Sequence, residues 1–258
     1  MDTLSFTEVI QDTIYMTRYK GVWNEEAVAV KVLKFPKGTK GSSVIDMTAQ
    51  LRSEVQIMCR FDHPCIVPVK AHSLTDVPGL VTEYYETTLQ SHLKQKEMDW
   101  PLRLRVLYDI LSAFHFLHNA SPPVIFSSFK PTSIVIVSDT PTAKVCAKIY
   151  DFSMAREFDA NKLKVEFSKI KDHDFQSVSW SAPEILKDGS VSLESDTFNI
   201  GTLLWALFTK ETPWEEYGKA SEVEAALLEG KRLEIPSSCP ERYSELIKKC
   251  WAAEPSSR

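Results

Sequence analysis

The chain has 258 residues, with 30 Lys and Arg against 35 Asp and Glu, a net charge of −5, and 43% hydrophobic residues beside 25% charged ones. That composition belongs to an ordinary globular protein able to bury a sizeable core, and it excludes disorder, collagen and a small disulfide scaffold. With no basic run, nucleic acid is not an expected partner, because such binding rests on neutralising phosphates.

The cysteines, Cys59, Cys65, Cys146, Cys239 and Cys250, are odd in number and show no Cys-x-x-Cys spacing. This suits a reducing compartment, so they read as packing residues. The longest apolar block, Ile200 to Phe208, falls far short of the roughly 20 residues of a membrane span, and a cytoplasmic location is expected.

In chain order, valines alternate or run through Val22 to Phe35 and predict strands, and Gly79 to Tyr85 predicts a short buried strand after Pro78. Between them Leu51, Val55 and Met58 repeat at helical spacing within Val44 to Phe61. Glu54 sits on the inward edge of that helix, where a carboxylate needs a partner. The stripe Leu104, Leu107, Leu111, Phe114 and Leu117 predicts a second helix from Pro101 to His118, with proline suited to its first turn. His115 and His118 lie three apart on it but lack a third ligand, so no metal is expected there. SIVIV and AKIYDF read as short strands, Ala155 to Gln176 as a mixed-charge loop, and the chain from Pro183 onward as mostly helical.

Several residues begin to carry chemistry. Lys31 is the lone cation in the apolar run of its strand, and Glu54 lies a helix away facing the sheet, so each can compensate the other. Asp151-Phe152-Ser153 directly follows a strand, Ala182-Pro183-Glu184 comes about thirty residues later, and Ser195-Asp196 opens an apolar helix. In that order these elements resemble the eukaryotic protein kinase domain. The wording RYKGVWNEEAVAVKVLK, LRSEVQIMCRFDHPCIV, FKPTSIVI, WSAPEIL and IKKCWAAEPSSR is most similar to its tyrosine-kinase-like branch.

The resemblance implies an α+β, bilobal fold. Residues 1–83 would form a small antiparallel β-sheet lobe with one key helix, 84–87 a hinge, and 88–258 a larger, mainly α-helical lobe. It implies that Lys31 holds the nucleotide phosphates with Glu54 as its helix partner, that Ala29 and Val135 belong to the nucleotide site, and that Thr82 is the gatekeeper. Glu83 and Tyr85 would belong to the hinge and Asp151 would bind magnesium, although Asp151 reads equally as a cap on local backbone amides. Met58, Val69, Phe126 and Phe152 map onto the apolar column that joins the lobes. Glu184 would pair with Arg258, which implies that the family's last helix is absent and that the segment is part of a longer protein.

The departures are equally specific. Gln11, Thr13 and Met16 occupy the three glycine positions of the phosphate-covering loop, and Arg18 replaces the valine that covers adenine. Phe126-Ser127-Ser128 stands for His-Arg-Asp, so Ser128 occupies the base position without a carboxylate. Ser133 occupies the Asn position, where a neutral hydroxyl is a weak magnesium ligand. The expectation is therefore a pseudokinase, a regulatory or scaffolding module for other signalling proteins, with no intact catalytic residues. Two alternatives stand beside it: a weakly active atypical Ser/Thr kinase, and a module that senses ATP with magnesium.

Overall fold

In the computed structural model, residues 4–75, 77–95, 98–127, 129–138, 140–158 and 175–258 are described. The chain opens with three antiparallel strands, β1 (Ser5–Asp12), β2 (Met16–Trp23) and β3 (Glu26–Leu33), followed by helix α1 (Gly41–Arg60), β4 (Val69–Ser73) and β5 (Gly79–Glu83). The sheet order is β1-β2-β3-β5-β4. Alternation in β3 sorts its two faces. Val28 and Val30 are buried on one side against Val81, Tyr19 and Trp23, which leaves Ala29 and Lys31 for the other. In α1 the residues Leu51, Val55, Ile57 and Met58 are buried, and Glu54 is buried among them.

The second lobe begins with β6 (Thr87–Thr88), α2 (Leu89–Gln95) and α3 (Trp100–His118). Asp99 caps α3, its carboxylate accepting the N–H of Leu102 at 2.9 Å. The buried face of α3 runs through Leu102, Val106, Ile110, Phe114 and Leu117. This corrects the expected stripe: Leu104 is 41% exposed, because a face centred on Leu102 and Val106 turns position 104 to solvent.

Next come β7 (Val124–Ile125), a single 3-10 turn (Pro131–Ser133), β8 (Ile134–Ile136), β9 (Ala147–Ile149) and β10 (Arg156–Glu157). The expected strand AKIYDF is thus shorter, ending before Tyr150, and most of the expected mixed-charge loop, residues 159–174, lies outside the described residues. Helices α4 (Phe175–Ser179), α5 (Pro183–Asp188), α6 (Leu193–Thr209), α7 (Ala220–Leu228) and α8 (Glu241–Cys250) complete the lobe. Helix α6 starts at a reciprocal cap, Ser192 with Ser195, and is buried around most of its circumference, as a central helix must be.

One large apolar cluster runs from Leu51 and Met58 of α1 through Phe126 and Phe152 to Leu203 and Leu207 of α6, with Val69 packed against it. The two lobes therefore share a core at the point where the charged residues gather. Cys65, Cys146, Cys239 and Cys250 are buried, in keeping with packing, whereas Cys59 is exposed. Among the described residues, no helix is long and apolar enough to cross a membrane.

Candidate functional site

Lys31 and Glu54 meet between β3 and α1, Nζ to Oε2 at 2.6 Å. Lys31 is 11% exposed and Glu54 only 1%, and Glu54 Oε1 has no protein partner. Burial pushes the Glu54 carboxyl above its ordinary value; the charge of Lys31 opposes this and the nearby charge of Asp151 adds to it. Asp151 follows β9 and accepts the N–H of Ser153 at 3.1 Å, so it does cap local backbone. Burial pushes its carboxyl up as well, but Lys31, Arg18 and Ser153 together outweigh that and hold it below its ordinary value.

Arg18 on β2 belongs to the same cluster. Its guanidinium carbon lies 4.4 Å from the centre of the Tyr150 ring, immediately before Asp151 in the chain. The β1–β2 turn beside it is self-contained. Thr13 N–H donates to the Met16 carbonyl at 2.8 Å, Met16 N–H to Thr13 Oγ1 at 3.0 Å, and Thr17 Oγ1 to Asp12 at 2.6 Å, while Lys34 pairs with Asp12. Below the turn, Met16, Lys31, Leu33, Met47, Leu51 and Glu54 line a cavity of about 260 Å³.

A second cluster surrounds the end of β5. Lys148 on β9 reaches Glu83 at 3.3 Å and the Tyr85 hydroxyl at 2.8 Å, and that hydroxyl donates to the Glu83 carboxylate. Burial, and then Glu83, push the Tyr85 hydroxyl far above its ordinary value. Thr82 pairs in register with Ala29 on β3, and Val135 with Lys148, so Ala29, Thr82, Glu83, Tyr85 and Val135 gather around this corner. Sequence reasoning missed Lys148 and Tyr150, because AKIYDF offered only a strand pattern.

The third element is the segment after β7. Asp196 at the start of α6 accepts the N–H of Phe126 at 2.9 Å and of Ser127 at 3.0 Å, and contacts His118 Nε2 at 3.0 Å. This gives His118 a structural partner. Among the described residues no three metal-binding side chains converge. Ser128 lies outside the described residues. Ser133 is buried, its N–H bonded to the Lys130 carbonyl at 2.8 Å and its own carbonyl to Tyr150 N–H at 3.1 Å. Phe126 packs with its ring centre 5.0 Å from that of Phe152 and 4.8 Å from that of Phe114, both pairs tilted, filling the column between the lobes. Glu184 on α5 and Arg258 form a double contact of 2.5 and 3.0 Å, with the Arg258 side chain fully buried.

A sequence profile described as protein tyrosine and serine/threonine kinase matches residues 4–258. The chain belongs to the protein kinase family. Its relatives include proteins named as serine/threonine-protein kinases. The chain is 33% identical over 267 residues to the probable serine/threonine-protein kinase pats1 of Dictyostelium discoideum, covering 100% of this chain and 8% of that protein. It is 30% identical over 259 residues to the serine/threonine-protein kinase CTR1 of Arabidopsis thaliana, covering 98% of this chain and 30% of the relative. It is 29% identical over 264 residues to mitogen-activated protein kinase kinase kinase 10 of Xenopus laevis, covering 100% of this chain and 25% of the relative. The chain thus spans under a third of each of these proteins.

For the magnesium nucleotide that a kinase domain implies, the cluster offers the Lys31 ammonium and the Asp151 carboxylate. The remaining residues fit it poorly. Arg18 already stands as a second cation beside Asp151, two turn amides are bonded within the hairpin, and Ser133 offers a neutral hydroxyl, a weaker metal ligand than an amide carbonyl.

Proposed function

We propose that this kinase domain is a pseudokinase: a bilobal scaffold that regulates or assembles other signalling proteins without transferring phosphate. The observation that carries the reading is Ser128 at the base position of Phe126-Ser127-Ser128, with Ser133 five residues on. A positioned base contributes about 10²- to 10⁴-fold, against kinase turnovers of roughly 1 to 100 per second, and a hydroxyl supplies none of it. The framework is kept: Lys31 with Glu54, Asp196 under the loop, and a filled apolar column support a fold maintained without its chemistry. Residues 1–83, 84–87 and 88–258 serve as the small lobe, connector and large lobe of that scaffold.

A second reading, a slow Ser/Thr kinase, is favoured by the 2.6 Å Lys31–Glu54 pair and by relatives named as serine/threonine kinases. The two are told apart by incubating the purified protein with ATP, magnesium and a generic protein substrate. The pseudokinase reading predicts no phosphate incorporation above that of Lys31→Met. Incorporation that Lys31→Met abolishes would establish the slow kinase.

A further inference from the structure

Arg18 and Lys31 are directly opposed in the β2–β3 register. Opposed residues on paired strands share a face of the sheet, and like charges so placed repel. The pair is tolerable because two carboxylates, Glu54 and Asp151, lie against it: Glu54 bonds Lys31 at 2.6 Å, and both cations act on both acids. Two cations against two acids leave the cluster neutral, whereas Lys31 alone against the same acids would leave a net charge of −1. An uncompensated buried charge is strongly destabilising, so the second cation, Arg18, completes the balance that Lys31 alone leaves short.

The choice of arginine fits this role. A guanidinium stays charged at any pH a protein meets and its plane stacks on aromatic rings, which a lysine ammonium does less well. At 4.4 Å from the Tyr150 ring centre, Arg18 is pinned over the residue that precedes Asp151, and Tyr150 is itself anchored by its N–H to the Ser133 carbonyl at 3.1 Å. In the neighbouring turn the Asp12 carboxylate is already taken up by Lys34 and by Thr17 Oγ1.

We propose that Arg18 is a built-in counter-ion standing where the metal would act, so that the cleft is charge-balanced and assembled without magnesium or ATP. The binding surface of the domain is then constitutive and not gated by nucleotide. This deepens the pseudokinase reading and rests on it.

The test is the thermal midpoint of the purified protein with magnesium alone, ATP with a chelator, and ATP with magnesium. The wild type is expected to stay flat in all three. Arg18→Val, and equally Arg18→Gln should the valine variant not fold, is expected to gain a response to ATP with magnesium. At ligand tenfold above its dissociation constant, that rise is about 2 to 4 °C. Arg18→Lys keeps the charge and is expected to remain flat. A wild-type midpoint that rises with ATP and magnesium overturns the proposal, as does a folded Arg18→Val or Arg18→Gln that stays flat. Binding of ATP by the wild type without phosphotransfer defeats this inference alone, whereas phosphotransfer defeats the pseudokinase reading with it.

Discussion

Asp196 accepts the backbone N–H of Ser127 at 3.0 Å, across 69 residues of sequence, and that bond fixes Ser127 in a left-handed conformation with φ of 62°. A non-glycine residue in that region is strained and persists only where its surroundings hold it. With Phe126 N–H also bound at 2.9 Å, one carboxylate shapes the segment that follows β7. Asp196→Asn replaces one acceptor oxygen by a donor and leaves a buried amide unmatched. The expected loss is about 1 to 3 kcal/mol in urea unfolding; an unchanged midpoint would mean that other contacts hold the segment.

Phe126 is part of the core that joins the lobes. It is 1% exposed, with Phe114, Phe129 and Phe152 at ring-centre distances of 4.8, 5.5 and 5.0 Å. Phe126→Ala is expected to cost about 3 to 5 kcal/mol by chemical denaturation. Phe126→His, the ordinary kinase residue, is expected to destabilise as well, since it places an imidazole among three phenyl rings. A more stable histidine variant would show that the column is not specialised for an apolar side chain.

How far the sequence disclosed this arrangement depended on what positions each residue. Lys31 with Glu54 and Glu184 with Arg258 were legible because each occupies a motif position whose partner is fixed by the family's topology. Asp196 was legible as the opening of a helix, but its acceptor role was not, because the amides it holds lie 69 and 70 residues earlier. Leu104 matched a helical stripe and is exposed, since the rotation of α3 is set by Leu102 and Val106 packing on the lobe and by Asp109 turning inward to accept the N–H of Cys146 at 2.7 Å. Arg18 was visible as a departure. Its stacking on Tyr150 was not, because that depends on what the far wall of the cleft presents.

The Glu184–Arg258 pair should behave as a buried ion pair. Arg258 has no exposed side-chain surface, and besides Glu184 its guanidinium donates to the carbonyls of Glu194, Ala252 and Ala253. Glu184→Ala leaves the guanidinium uncompensated, and the expected cost is about 3 to 5 kcal/mol in denaturant unfolding. A cost below about 1 kcal/mol, the range of exposed pairs, would place the contact at the surface in solution.

Asp151 gives a pH signature. Burial raises its carboxyl, but Lys31, Arg18 and Ser153 hold it below its ordinary value, so the unfolded chain takes up a proton there before the folded protein does. The stabilisation is therefore complete above the ordinary aspartate range, about pH 4, and is lost as pH falls through the lower folded-state value. Asp151→Asn imitates the protonated form. Its cost in chemical denaturation is expected to be largest at neutral pH and to shrink toward pH values of about 3 and below. A cost that grows on acidification contradicts the cluster. Glu54 carries the opposite sign, because burial raises its carboxyl in the folded protein.

The most direct measurement is the rate of phosphate transfer from ATP by the purified wild-type protein with saturating magnesium and substrate, beside Lys31→Met. The account predicts a wild-type rate indistinguishable from the Lys31→Met background, and in any case below about 10⁻² per second. A wild-type rate above that background and abolished by Lys31→Met would contradict it, whether slow or within the ordinary kinase range of about 1 to 100 per second.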